Sequence, residues 1–320
     1  MILNEILSVF TSEYFFVVIR MATPIILAAI AETFLERSGI INLGCEGMMM
    51  FGAFFGALGS WLTGNPYLGL LLAIISGLVA GGFFGFMTIS LKGNQIVVGM
   101  AFIVLGYSLT SFLYRMILGI QLHPVKVAGI QAFDIPLLSQ IPIIGRVFFQ
   151  QNPLVYFTYF VIIAAWVIMY RTSIGLKISA IGENPKAADS MGINVIRWRY
   201  ICTIATGALF AIAGACLSLT QLSLFADNMT GGRGFFALAA VILGRWNPIG
   251  ATAGALLFGA GDAFQMRLQA YGIPIPSDVL LAMPYVLTLL AVIFFRNRSS
   301  YPPSALTQPF EREVNKSHGK

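Results

Sequence analysis

Charge is scarce in this chain. Of 320 residues only 10% are Asp, Glu, Lys or Arg, while 58% are hydrophobic. A soluble domain carries roughly 25% charged residues and about 45–50% apolar ones, so a soluble fold is excluded. Histidine is nearly absent. His123 and His318 are the only two, which leaves little for a histidine metal centre or a histidine-based triad. The three cysteines, Cys45, Cys202 and Cys216, lie in apolar stretches at spacings that suit neither disulfides nor metal, and are read as packing residues. Walker phosphate-binding patterns are missing. Met1 to Tyr14 has two glutamates and no Lys or Arg, against the positive start of a signal peptide. Hairpin signals with ten-residue alternation are also missing, which disfavours a membrane β-barrel.

What is present is long apolar runs. Ile96 to Tyr114, Leu154 to Tyr170, Tyr200 to Ala226 and Val279 to Phe295 contain no Asp, Glu, Lys, Arg or His, and each is near the ~17–25 residues that cross a hydrocarbon core. The expectation is an all-α membrane protein, a polytopic bundle of about nine segments: 14–35, 42–62, 67–91, 95–118, 153–170, 200–222, 234–244, 250–268 and 279–296. The seventh covers only ~16 Å as a helix, about half the core, and is expected to be a half-helix joined to irregular backbone. Such backbone is tolerated at that depth only where protein or a wet cavity surrounds it.

The net charge of +6 could suggest nucleic acid, but its distribution reads as topology. Residues 171–199 hold five basic side chains against Glu183 and Asp189, and the tail from Arg296 holds five against two acids. Basic loops stay cytoplasmic, so the N-terminus is expected outside, the C-terminus inside, and residues 119–152 in an external loop. Small residues recur at four-residue spacing: Gly77, Gly81 and Gly85, then Gly207, Ala211 and Ala215, then Gly250 and Gly254. They let helix backbones approach in lipid. The third and sixth segments look alike, a hint of an internal repeat.

Three stretches carry unusual polarity. "ERSGIINLGCEGMMMFGAFFG", from Glu36 to Gly56, places Glu36, Arg37, Gly39, Asn42, Gly44, Glu46 and Gly47 at the mouth of a span. An ionisable group there needs a partner or water; the expectation is that these residues fix a turn and a helix start, with Glu46 favoured by the helix dipole. "SAIGENPKAADSMGINVIRWR", from Ser179, has Asn184 as N-cap, Pro185 at the first helical position and Gly192 just past the end. That describes a cytoplasmic helix of about two turns, too short to stand alone, with Ala187, Ala188 and Met191 as its small apolar face. The third runs from Asp227 to Phe264, where Gly231, Gly232 and Gly234 lead into the short seventh segment and leave its N-terminal amides facing a cavity.

With these stretches in view, the chain resembles a permease subunit of the branched-chain amino acid, simple sugar and nucleoside group of ABC importers, and is most similar to the nucleoside-type permeases. "ERSGIINLGCEG", "IGENPKAADSMGI" and "GRGFFALAAVILGRWNPIGATAGALLFG" carry the resemblance, which reaches from about residue 20 to 295. It implies the permease fold of cobalamin-type importers with interrupted helices, in a bacterial cell membrane. It also implies a second related permease, a cytoplasmic ABC ATPase that uses ATP and Mg, and an external solute-binding protein. This chain itself would bind no cofactor and catalyse no covalent step. Residues 1–298 would form the permease domain and 299–320 a disordered cytoplasmic tail.

The resemblance assigns Glu183, Asn184, Pro185, Ala187, Ala188, Met191, Gly192 and Ile193 to ATPase coupling. Asn42, Asn94, Gln95, Gln221, Phe235 and Phe236 are the candidates for the translocation path. A nucleoside is the preferred solute, then a riboflavin-like ligand or simple sugar. The competing class is an ion-gradient transporter or channel, for which Glu46 and Asp262 are the only plausible intramembrane acids.

Overall fold

The computed structural model describes residues 11–119, 124–136, 138–142, 144–270, 286, 293 and 301–311. The expected ninth segment, 279–296, lies outside these apart from residues 286 and 293, as do His123 and His318. Helix α1 (Ser12–Arg37) runs unbroken through Pro24. It is followed by α2 (Cys45–Thr63), α3 (Pro66–Gly85) and α4 (Gln95–Leu118). After the 119–152 connection come α6 (Pro153–Arg171), the shorter α7 (Ser173–Glu183) and α8 (Pro185–Ser190), then α9 (Val195–Cys216), α10 (Arg233–Leu243) and α11 (Pro248–Ala270). Among the described residues, five helices are long and apolar enough to cross a membrane: α1, α3 with its extension, α4, α6, and α9 with its extension. Helices α2 and α11 have the length, 19 and 23 residues, but their glycine and polar content keeps them below that hydropathy. This is an all-helical, multi-pass membrane protein.

Helices α1 and α9 form the centre, while α3 and α4 turn most of their surface outward. Apolar burial drives little in lipid, so close contact must come from shape. The glycine stripes supply it. A Cβ on Gly52 of α2 would lie 2.0 Å from the Ala211 carbonyl oxygen of α9, and one on Gly214 would lie 1.8 Å from the Met49 oxygen. Gly77 of α3 meets Gly207 of α9 in the same way, at 2.4 Å from its oxygen. The two segments that look alike in sequence are thus packed on each other. Both end in a five-residue π-helical turn, Phe86–Ser90 and Leu217–Gln221.

The connection after α4 is tied to the bundle at residues 127–130. Val127 and Ile130 donate their amides to the Ser223 and Leu219 oxygens at 2.9 and 2.8 Å, and Ser60 Oγ donates to the Ala128 oxygen at 2.6 Å. The loop thereby satisfies backbone that the π turn leaves unpaired, which lipid could not do. Farther along, a two-residue strand pair, Phe133–Asp134 with Gln150–Gln151, brackets the short α5 (Ile144–Phe149).

The tail departs from expectation. Residues 301–311 are not a free coil but lie against the bundle. Ala305, only 3% exposed, donates its amide to the Gly182 oxygen at 2.9 Å. The Ser304 hydroxyl reaches Glu183 at 3.0 Å, and Lys92 pairs with Glu311. The hydrogen bond and charge of that ammonium hold the Glu311 carboxyl below its usual range. Apolar Pro303 and Ala305 supply the burial that composition alone understated.

Candidate functional site: a clamped half-helix

Helix α10 has only 11 residues, as its sequence predicted, and irregular turns precede it. Its start needs a positive-φ residue at Gly232 (φ +85), and its first amides would be orphans at membrane depth. The Glu46 carboxylate takes them. One oxygen accepts from Gly232 N at 2.8 Å and from the Tyr107 hydroxyl at 2.9 Å, and the other accepts from Gly234 N at 2.5 Å. Glu46 is itself the second residue of α2, so one carboxylate faces the positive ends of two helices. Gly234 is required for the approach: a Cβ there would lie 2.7 Å from the Glu46 nitrogen.

The other end of α10 is held by the same signature stretch. Arg245 and Trp246 form the turn into α11 with φ of +57 and +54, a conformation costly for non-glycine residues. The Trp246 indole N–H donates to Glu36, and Arg37 Nε donates to the Trp246 carbonyl at 2.9 Å. Glu36 and Arg37 therefore do more than mark a helix end; they grip the α10–α11 turn. The loop between the two grips is braced from behind. Glu32 accepts the Asn42 amide at 2.8 Å, Asn42 Oδ1 accepts from Gly44 N at 2.9 Å, and Gln95 accepts from Ile41 N at 2.9 Å. Buried Arg199 donates to the Ser38 oxygen at 3.2 Å and to Gln308 of the tail at 3.1 Å. Gly39 (φ +86) leaves room for this guanidinium, 2.8 Å from where a Cβ would be. Gly47 lies against the Phe102 carbonyl, 2.1 Å from its would-be Cβ.

One expectation is corrected by this geometry. The α10 amides face no cavity, since Glu46 fills the place an anion would take. The six path candidates do not line one surface: Asn42 and Gln95 are spent on the loop, and Asn94 caps α4 by accepting from the Ile96 and Val97 amides. Gln221 donates to the Arg20 oxygen at 2.9 Å while Arg20 returns a bond to the Thr220 oxygen at 3.0 Å. Phe236 stacks on Phe258, centroids 5.2 Å apart. Phe235, 44% exposed, offers its side chain outward, and the exposed Asn94 lines a cavity of about 300 Å³ with Gln95. Backbone near an interrupted helix needs so many partners that the polar residues there are consumed by it. Among the acids weighed for ion coupling, Glu46 has three donors, and Asp262 pairs with Arg233 at 3.5 Å, both largely shielded. Reasoning from sequence passed over Tyr107, Arg199 and Trp246; the polar-in-apolar signal of the run "RWRY" was there for Arg199.

The stretch around α8 has the expected local chemistry. Asn184 Oδ1 accepts from the Ala187 amide at 3.0 Å, Pro185 is the first helical residue, and Gly192 has φ +83. The expected apolar face is split, however. Ala188 is 4% exposed and packs with Ile181 and Val195, whereas Ala187 and Met191, the latter 84% exposed, point away from the bundle. Ala188 seats the helix; it does not face outward.

A helical membrane bundle around a clamped half-helix is the class that the geometry defines. The chain belongs to the family described as the branched-chain amino acid transport system permease component, which matches residues 14–294. It is 36% identical to the guanosine ABC transporter permease NupQ of Bacillus subtilis and 34% identical to the nucleoside ABC transporter permease NupC of Lactococcus lactis, in each case over 88% of this chain and 91% of the relative. To a putative glucose ABC transporter permease of Haloferax volcanii it is 33% identical over 93% of this chain and 97% of the relative. Bacillus subtilis and Lactococcus lactis each hold a second, more distant relative with the same description, 25% and 24% identical. ABC permeases of this kind thus come in related pairs, and the likeness to the nucleoside type read from the motifs holds over nearly the whole chain.

Proposed function

We propose that this chain is one of two permeases in an ATP-driven importer of nucleosides. The match over 88% of the chain to permeases named for guanosine and for nucleosides is the observation that carries the substrate class. The remaining parts would be a paired permease, an ATPase and an external binding protein. Nine crossings with the N-terminus outside would put α7, α8 and the tail on the ATPase side. The outward face of α8, with Ala187 and Met191, would be the coupling surface, and ATP and Mg would act in the partner. A mechanical route from it is short. Gly182 at the end of α7 abuts the Arg37 oxygen, 2.1 Å from its would-be Cβ, and Arg37 holds Trp246 at the foot of α10. Movement of α8 would be felt at the half-helix.

Uptake of labelled guanosine and labelled glucose, measured in a strain deleted for this gene and in the complemented strain, tests the reading. Restored guanosine uptake with unchanged glucose uptake is expected. Restoration of glucose uptake alone would move the substrate to sugars, and failure of an ATPase to co-purify would remove the coupling assignment.

A further inference from the structure

An apolar groove of about 290 Å³ runs between α1, α6, α7 and α9, without an acidic or basic residue in its lining. Its floor includes Phe34, Ala165, Cys202 and Thr206. Along α9 the lining extends from Trp198 to Leu209, ~16 Å of helix rise, which is about half of a ~30 Å hydrocarbon core. The groove therefore has the depth of one leaflet.

Its mouth is basic. On α6 the lining positions Val161, Ala164, Ala165 and Ile168 continue at helical spacing to Arg171, whose guanidinium rests on Trp166 outside the lining, 5.5 Å from the ring centroid, and is within a side-chain swing of the groove's end. On α7 the lining residue Ile174 is one turn before Lys177, whose ammonium lies 5.5 Å from the ring of Trp198, itself part of the wall. Helix α7 also exposes Leu176, at 72%, and Ile174, at 40%, as a helix lying in the interface does. Basic groups beside a tryptophan, at the end of a leaflet-deep apolar slot, match a negative headgroup above a hydrocarbon chain. Another groove, about 390 Å³ among α2, α3 and α4, is equally apolar in its lining and serves as the control.

We propose that the α6–α7–α9 groove is a binding site for an anionic phospholipid, with one acyl chain along Trp198 to Leu209 and the headgroup phosphate at Lys177 and Arg171. A helix of a partner permease, whose side chains span ~10–12 Å, would need a broader surface and would find no acid-accepting role for the two cations.

Native mass spectrometry of the full chain, released from mixed nanodiscs of phosphatidylglycerol and phosphatidylcholine, tests this. The parent should retain phosphatidylglycerol in preference. The double variant Lys177→Gln/Arg171→Gln should lose that preference about 25-fold, from about fivefold per cation, with Lys177→Arg behaving as the parent. Ala205→Trp, at an exposed lining position, should displace the bound lipid, while Leu105→Trp in the other groove should not. Unchanged retention in the double variant, equal retention of both lipids by the parent, or equal loss with Leu105→Trp would each overturn the site. The glutamine variants lie at the surface and decide the matter even if Ala205→Trp fails to fold.

Discussion

The Gly234 amide meets the Glu46 carboxylate at 2.5 Å across 188 residues of chain. The two positions belong to different sequence motifs, and their contact fixes where the half-helix begins. Replacing Glu46 with Gln would turn one acceptor into a donor facing a donor, leaving a buried amide unpaired at a cost of about 1–3 kcal/mol. Glu46→Gln is therefore expected to lower the melting temperature of the detergent-solubilised chain by several degrees, and Gly234→Ala by at least as much, as read by fluorescence-detected size exclusion after heating. Melting at the parental temperature in both would show that α10 needs no such cap.

Trp246→Phe keeps an aromatic ring but loses the indole's second ring, and with it the N–H donor to Glu36. The expected outcome is a stable but slow transporter: unfolding shifted by about 1–3 kcal/mol and uptake reduced severalfold at equal expression. Normal uptake would uncouple the α10–α11 turn from transport.

The division of α8 into a seating and an outward face gives opposite outcomes for neighbouring alanines. Ala188→Glu would bury a charge among Ile181 and Val195 and should destabilise by roughly 3 kcal/mol or more. Ala187→Glu and Met191→Glu should leave stability within about 0.5 kcal/mol while abolishing substrate-stimulated ATP hydrolysis in the assembled transporter. Full ATPase stimulation in both outward variants would leave α8 a plain connecting element.

Membrane orientation is open to direct labelling, because Cys45, Cys202 and Cys216 are all buried and give little background. Ser304→Cys and Ser190→Cys, both at exposed positions, should resist an impermeant maleimide in intact cells and react once the membrane is opened. Ser179 is a poorer reporter, being partly covered. Reaction of either exposed cysteine in intact cells would invert the assigned topology.

How far the sequence could be read depended on whether a residue acts through its neighbours in the chain or through distant ones. The lone half-helix at 234–244, the Asn184 cap and the Gly192 stop are local, and each matches a structural element to within a residue or two. The path candidates could be read only as far as a need for partners, because polarity in an apolar stretch does not say whether solute or backbone supplies them. Asn42 and Gln95 answer to backbone. Trp246 was illegible for the opposite reason: an indole looks apolar in sequence, and only the arrival of Glu36 from 210 residues away makes its N–H matter. The tail was misjudged because charge and proline suggest disorder, while its two buried residues, Pro303 and Ala305, are too few to register.

The glycine contacts among α2, α3 and α9 have a mechanical consequence. Main chain touches main chain at Gly52, Gly77, Gly207 and Gly214, so no layer of side chains lies between these helices that could change rotamer and let one slide past another. They form a stiff wedge. The α10–α11 hairpin stands outside that wedge: α11 packs along α1, where Gly259 meets the Ala22 main chain, and α10 reaches the α2 side of the wedge through the Glu46 carboxylate. With Glu46 at one end of the 11-residue α10 and Glu36 and Arg37 gripping the turn at the other, the half-helix is pinned at both ends, a strut between the wedge and α1.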